Sequence, residues 1–517
     1  MGLKKSLCIA VLTASFATAA HAETMRGIIH LKEKVSVQEL AESVRTPGAT
    51  RFGQPYTPEE IRSLSAPSDS DYANVINQLQ IEGFKVVGQT KTHLWITIEG
   101  DSSLFTKVFQ AEMDRNEQGA RRLRSIVKTP VYMNAIDSIG GLDNQRKAQP
   151  HYKIGQVKRD PRSGSPISIT SPTGILLPTI RTVYGFDSIL ASGISGTGQH
   201  IAIATYDDFD ISDVQTAYQV LGVSPMSTVD KVPFNGTPPA NSQSAMETQL
   251  DAEFSGMIAP GASVHVFSSA TNDDPGEVAL FTAILDDNRA KIANYSWGGC
   301  ETQVDAQHKI DMDKVFAQAI AQGVNIFVAS GDSGSDSCQN KTVAADWPAN
   351  NPNVIAVGGT TLTVNGNTGS EVAWASSGGG ISAMYTLPNY QANAGVKTSG
   401  RSYPDVAFNA DNASGQSVYA HYYGIPLWIT IGGTSMAAPQ WAGFMALVNN
   451  ARQAKHLTTL GQLNPIIYAM NASDKAASFN DVTSGSNGAY TAAVGYDSVT
   501  GFGSMKAQSL LNYLIQQ

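Results

Sequence analysis

In the run Gly432-Gly-Thr-Ser-Met-Ala-Ala-Pro439, an apolar, strand-like stretch (Leu427 to Ile431) feeds two glycines and then a helix beginning near Thr434. Glycine permits a tight turn and the close approach of a substrate backbone. A helix N-terminus offers unpaired amides and positive dipole potential where an oxyanion would form. Ser435 is therefore a candidate nucleophile for acyl transfer, with a simple Gly-Thr-Ser helix cap as the competing reading. A second segment, Glu247-Thr-Gln-Leu-Asp251, sets two carboxylates at i and i+4 on one helix face. Like charges this close raise a pKa, which suits general-base work in acid, where a histidine would already hold its proton. A solvated acidic face is the plainer alternative. In a third segment, Ala329-Ser-Gly-Asp-Ser-Gly334, Asp332 follows a core strand and could donate to an oxyanion only when protonated. Otherwise it is a turn.

The serine segment resembles the nucleophile motif of the subtilisin-like serine peptidase clan. Members of that clan pair the serine with a histidine in a His-Gly-Thr-His context. None of the nine histidines here (His21, His30, His93, His151, His200, His265, His308, His421 and His456) has that context, and His265 falls inside an expected strand. Their absence turns the reading of Glu247 and Asp251 from surface acids to working ones.

The elements that must carry these residues form a regular pattern. Gln199 to Tyr206, Val264 to Phe267, Lys291 to Tyr295, Val324 to Ala329 and Val354 to Val357 are short apolar strands. Helix-length stretches lie between them, as at Ser244 to Ile258, Gly276 to Asp286 and Thr302 to Gln322. Such alternation implies an α/β fold with a parallel sheet covered on both faces, whose working loops lie beyond the carboxyl ends of the strands.

The chain has 517 residues, of which 42% are hydrophobic and 15% charged, the latter well below the roughly 25% of ordinary soluble proteins. A net charge of −9 argues against nucleic acid as a partner. Lys4 and Lys5, an apolar run to Ala20 and the small residues Ala20-His21-Ala22 read as an export signal at 1–22, cleaved after Ala22. The protein is expected outside the cytoplasm, secreted or periplasmic, with no membrane attachment once the signal is removed. In that oxidising setting Cys300 and Cys338 are a candidate disulfide, and free buried thiols are the alternative.

Charge divides the exported chain. Glu23 to Ser165 carries 20 Lys+Arg and 17 Asp+Glu, a net of +3; Pro166 onward carries 13 and 27, a net of −14. Separate domains are expected, joined by an exposed linker, Gln145 to Thr173, rich in Lys, Arg, Gly, Pro and Ser. A surface with few cations gains little repulsion as its carboxylates protonate, which suggests work in acid.

Taken in order, Glu-x-x-x-Asp at 247–251, Ser-Trp-Gly at 296–298, Ser-Gly-Asp-Ser-Gly at 330–334 and Gly-Thr-Ser at 433–435 resemble the sedolisin, or serine-carboxyl peptidase, family. Trp347-Pro-Ala-Asn-Asn-Pro352, Ala356 to Thr361, Ser377-Gly-Gly-Gly380 and Tyr403-Pro-Asp-Val406 are also similar. The resemblance implies a subtilisin-like parallel seven-stranded sheet flanked by helices over 176–517. Before it come an α+β, ferredoxin-like activation pro-domain at 23–145 and a linker with the processing region at 146–175. It further implies Ser435 as nucleophile, Glu247 as general base and acid, Asp251 as its orienting partner, and Asp332 with the Ser435 amide as oxyanion donors. One calcium ion is implied near the C-terminus, held by Asp481, Asp497 and the carbonyls of Val482, Ala493 and Gly495, where relatives usually have glycine at 493. A pair of Asp/Gly turns is the plain alternative. Thr205 stands where some relatives carry a further acid behind the glutamate. The expected function is an acid-acting serine endopeptidase made as a zymogen, monomeric, with polypeptide substrates and its own pro-domain as intramolecular inhibitor. A tripeptidyl aminopeptidase and a catalytically degenerate binding module are the alternatives.

Overall fold

The computed structural model describes residues 24–155, 171–239 and 245–517, apart from positions 118, 126 and 423. Its larger part is built on one sheet. Thr228–Val232, Ser263–Ser268, His200–Thr205, Ile292–Tyr295, Asn325–Ala329, Ile355–Asn365 and Val406–Asn409 lie side by side in that order, all parallel. Thr368–Ala373 adds an antiparallel ribbon to Ile355–Asn365. This is the expected α/β sheet, and all five strands expected from apolar runs are present. The edge strand Thr228–Val232 was not marked in that way, because three of its five residues face solvent.

Alternation along each strand feeds two cores. Ile201 and Ile203 join one with Val264, Val266 and the helices Ala245–Ile258 and Thr434–Ala454. Ala202 and Ala204 join the other with Phe267, Tyr295 and the helices Asp274–Asp287 and Ala306–Ala321. Both faces are therefore dry, which is why these strands read as continuous apolar runs.

The N-terminal part is a separate antiparallel sheet in the order Lys85–Gln89, Trp95–Asp101, Thr24–Leu31, Ile136–Gly140. Helices Asp69–Glu82 and Ser102–Phe109 cover one face through Tyr72, Leu79, Phe105 and Phe109, giving the expected ferredoxin-like layering. The other face is covered in part by the larger part of the chain. Ile28 and Trp95, together with Val37, Leu40 and Val44 of the helix Val37–Arg45, share a core with Met312, Val315 and Phe316 of the larger part. Polar contacts rim this interface, as where Lys314 Nζ meets Asp137 at 2.7 Å and Tyr56 N donates to Ala321 O at 2.8 Å.

Cys300 and Cys338 are bonded, tying the strand Trp297–Cys300 to the loop that follows Asp332. The expected exposed linker departs from expectation in its first third. Residues 146–155 lie across the carboxyl ends of the parallel strands, with Arg146, Ala148 and His151 buried. Main-chain pairing holds them there: Gln149–Pro150 is antiparallel to Trp297–Gly298, and Lys153–Ile154 to Ile431–Gly432. The export signal at 1–22 and linker residues 156–170 lie outside the described residues.

Candidate active site

Ser435 sits in the first turn of the buried helix Thr434–Ala454, directly after the strand Ile425–Gly432. The residue between them, Gly433, has φ +116°, and a Cβ there would lie 2.3 Å from His151 O and 2.7 Å from Asp332 Oδ2. Only glycine fits that conformation and that space. The Ser435 amide, one of the unpaired donors of the helix start, donates to His151 O at 3.0 Å.

Glu247 and Asp251 lie one turn apart on Ala245–Ile258, both fully buried, with the whole helix from Met246 onward enclosed. Burial, and then the Asp251 charge, push the Glu247 carboxyl well above the ordinary range; the Ser435 hydroxyl and the His151 backbone oppose the rise. Asp251 is pushed up by burial and eased by Ser296 and Asn294. Ser296 Oγ donates to Asp251 Oδ1 at 2.7 Å, and Asn294 Nδ2 donates to Ser296 Oγ at 3.1 Å, so the second carboxylate is fixed by a hydroxyl–amide relay. Both Glu247 oxygens and Asp251 Oδ2 are buried without a full hydrogen bond, while Ser435 Oγ leans on Ser296 O at 3.4 Å. Such orphaned oxygens are costly as anions, and a shared proton is the remedy at hand.

Asp332 lies in the loop after Asn325–Ala329. Its Oδ1 accepts from Thr434 N at 2.8 Å and Thr434 Oγ1 at 3.0 Å, while Oδ2 is buried, unpaired and beside Gly433. Burial pushes its pKa up to about 6, with His151 and Thr434 pulling the other way. Protonated at Oδ2, it would carry a donor on the same side of Gly433 as the His151 carbonyl.

The structure thus brings Ser435, Glu247, Asp251 and Asp332 to one place, as the motifs implied. Two residues at the site, His151 and Asp346, were not singled out by the motifs. His151 lies in the cleft as its occupant rather than as a base: its Nε2 meets Asp346 Oδ1 at 3.0 Å, both side chains being buried. Burial pulls the imidazole down, but the Asp346 carboxylate more than offsets this and holds it above the usual histidine value. Asp346 is braced by Ser337 Oγ, which donates to its Oδ2, and its amide donates to Tyr403 Oη at 2.7 Å. The signal for it was present in the Trp347-Pro and Tyr403-Pro segments that flank it in space. Thr205, behind Glu247, hydrogen-bonds Thr248 Oγ1 at 2.7 Å and accepts from Trp297 Nε1 at 3.2 Å, so a neutral polar group fills that position.

Near the C-terminus, Asp481 Oδ2 accepts from Gly495 N at 2.9 Å and Asp497 Oδ2 from Ala493 N at 3.0 Å. One loop therefore gathers both carboxylates, and burial raises the pKa of Asp497. Two carboxylates in one loop are oxygen donors of the kind a hard cation takes, although amides of Ala493, Gly495, Val499 and Thr500 face them here.

Residues 15–145 match the Pro-kumamolisin, activation domain family, and residues 238–488 the Subtilase family. Kumamolisin of Bacillus sp. (strain MN-32) is 33% identical over 411 residues, covering 74% of this chain and 70% of that protein. The chain belongs to the sedolisin family. Sedolisin of Pseudomonas sp. (strain 101) is 28% identical over 530 residues, 96% of this chain and 88% of that protein. A solved structure of Pseudomonas sedolisin complexed with two molecules of pseudo-iodotyrostatin matches with a TM-score of 0.60, at 28% identity, over 67% of this chain and 99% of that one. Tripeptidyl-peptidase 1 of Canis lupus familiaris is 26% identical over 522 residues, 93% of this chain and 89% of that protein. This sedolisin is a serine-type peptidase preceded by an activation domain.

Asp332 can donate only below its raised pKa of about 6 and loses the proton as pH climbs through that value. In Asp332→Asn the amide oxygen can keep the Thr434 bonds while Nδ2 donates at every pH. The expected result is that the limb of kcat/KM falling near pH 6 in the wild type disappears in Asp332→Asn, read from pH profiles on one peptide. A limb unchanged in the variant would assign it to another group.

Proposed function

We propose that this sedolisin is an acid-acting endopeptidase, exported as a zymogen, whose first substrate is its own His151–Tyr152 bond. The observation that carries this reading is the His151 carbonyl, which accepts from the Ser435 amide while residues on both sides pair with the cleft walls. That is the pose of a peptide about to be cut.

Ser435 Oγ attacks the His151 carbonyl carbon as Glu247 takes the hydroxyl proton, and Asp251 steadies the glutamic acid that results. The oxyanion is met by the Ser435 amide and by protonated Asp332. Glu247 then passes its proton to the Tyr152 nitrogen, the C–N bond breaks, and an ester on Ser435 remains. Water, deprotonated by Glu247, attacks that ester, and on collapse Glu247 gives the proton to Ser435 Oγ as the carboxylic acid leaves. Every step needs Asp332 protonated and Glu247 able to cycle. The raised pKa of Asp332 suits acid, while the buried Glu247–Asp251 pair must hold no more than one shared proton for Glu247 to accept another from Ser435, so activity is bounded on both sides.

Endopeptidase activity is favoured over tripeptide release because the cleft holds chain beyond the third residue upstream of the bond: Ala148, the fourth, is clasped by Asn272 on both its amide and its carbonyl, at 2.9 and 2.8 Å. In the pocket for the residue before the bond, Asp346 supports a preference for cationic side chains. Replacing Asp346 by Asn is expected to cut the kcat/KM ratio of Arg over Leu peptides at that position by about 10-fold or more. A ratio unchanged by the substitution would remove Asp346 from specificity.

The maturation test uses the purified precursor. On shifting wild type to pH 4, N-terminal sequencing should give Tyr152 as the first new terminus, and Ser435→Ala should stay uncut at the same protein concentration. A first cut elsewhere would sink the reading.

The calcium reading rests on the Asp481 and Asp497 carboxylates with the carbonyls of Val482, Ala493 and Gly495. An ion there would supply charge neutralisation to the C-terminal loop and take no part in bond cleavage. Chelation should lower Tm by roughly 5 °C, corresponding to about 2–3 kcal/mol of lost binding linkage, and calcium but not magnesium should restore it. Identical melts with and without chelator would dismiss the site.

A further inference from the structure

Arg146 is an unusual residue to find in a processing linker, because its guanidinium is not in water. It is 4% exposed and enclosed by acids belonging to the catalytic part. Nε donates to Asp274 Oδ1 at 3.2 Å, Nη2 donates to Glu277, and Nη2 stands 3.1 Å from His308 Nε2. Asp274 and Glu277 lie in the first turn of Asp274–Asp287 and His308 in that of Ala306–Ala321, so none of the three leaves with the N-terminal domain. They are 4%, 0% and 1% exposed. The pocket is braced from behind, where Tyr295 Oη donates to Glu277 Oε1 at 3.1 Å.

The path from this pocket to the cleaved bond is fixed by contacts that any peptide can make. Asn272 clasps the Ala148 backbone, and Trp297–Gly298 pairs with Gln149–Pro150. These hold the chain in one register from Arg146 to the His151 carbonyl. Once that bond is cut and the N-terminal domain departs, two buried carboxylates lose their cation while the track leading to them stays intact. His308 Nε2 then remains 2.8 Å from Glu277 and 3.6 Å from Asp274, one imidazole for two buried carboxylates, whereas a planar guanidinium reaches both at once.

Building on the proposed cut at His151–Tyr152, we propose that Asp274, Glu277 and His308 form an arginine-binding subsite of the mature enzyme. It takes the side chain of a polypeptide substrate five residues upstream of the residue whose carbonyl is attacked. The linker is thus the first example of a preferred sequence, basic at two positions: one in the Asp346 pocket and one in this more distant site.

The test uses the matured wild-type enzyme and two fluorogenic decapeptides that share histidine before the cut and differ only five residues upstream, with arginine in one and citrulline, its uncharged isostere, in the other. The arginine peptide should be cleaved with at least about 10-fold higher kcat/KM, mostly through a lower KM. The advantage should shrink towards unity in Glu277→Gln, which removes the carboxylate that keeps its charge in acid, and this ratio does not depend on how much basal activity the variant keeps. Mass spectrometry fixes the bond cut in each peptide. Equal kcat/KM for the two peptides at the same bond would overturn the subsite. Should the precursor mature elsewhere than His151–Tyr152, the reading beneath it would fall instead, so the two failures are distinguishable.

Discussion

The site rests on a carboxyl pair removed from water. Glu247 and Asp251 are fully buried one helical turn apart, and the groups that act on Glu247 are a second acid, a third acid at Asp332, a hydroxyl and a backbone amide. No cation is among them. An isolated buried carboxylate is too costly to persist, so charge at this site is settled by protons. That constraint explains the enclosure of the helix Ala245–Ile258, pressed between the sheet and Thr434–Ala454. A single open side would hydrate the pair and return its pKa values to the ordinary range. The apolar sheet is in this sense the instrument that tunes the glutamate.

The same dryness organises what occupies the cleft. A backbone carbonyl beside Gly433 meets the Ser435 amide and stands next to the unpaired Asp332 Oδ2. Strand pairing on either side, with Trp297–Gly298 and with Ile431–Gly432, determines which carbonyl arrives there. Main-chain hydrogen bonds set register without reading sequence, so selectivity falls to side chains that enter pockets. Here those side chains are His151 and Arg146, and both end on carboxylates. Acids at both depths are the basis of the proposed preference for cations, in keeping with a net charge of −14 from Pro166 onward.

Much of this was legible in the sequence, for a local reason. Ser435 after two glycines, two acids four residues apart, and Asp332 after an apolar strand are patterns a few residues long, and a helix or turn suffices to place them. The parallel sheet was legible because strands buried on both faces are apolar at every position. Other features were not. His151 and Asp346 are 195 residues apart in sequence, and nothing in either segment says that they meet. Arg146 read as one more cation in a basic, Gly/Pro/Ser-rich stretch, where cations ordinarily face water. Its pocket is made by Asp274, Glu277 and His308, supplied by another part of the chain. The edge strand Thr228–Val232 escaped for the opposite reason, since solvent reaches it and no apolar run marks it.

The charge contrast between the two parts does not explain their association by itself. At physiological salt the Debye length is about 8 Å, so exposed charges on facing domains are largely screened. The shared apolar core around Phe316 and Leu40 is insensitive to salt and to acid alike. Arg146 is the buried exception. Burial pushes Asp274 up to about 6, against the pull of His308 and Arg146, whereas Glu277, desolvated but dominated by Arg146, is held down at about 2. Mild acid therefore protonates Asp274 first and leaves the guanidinium its Glu277 partner. Acid loosens this anchor without releasing it, so freeing the cleft requires a covalent event between the anchor and the catalytic domain. On the proposed reading that event is cleavage after His151, whose carbonyl lies between Arg146 and Lys153 and accepts from the Ser435 amide.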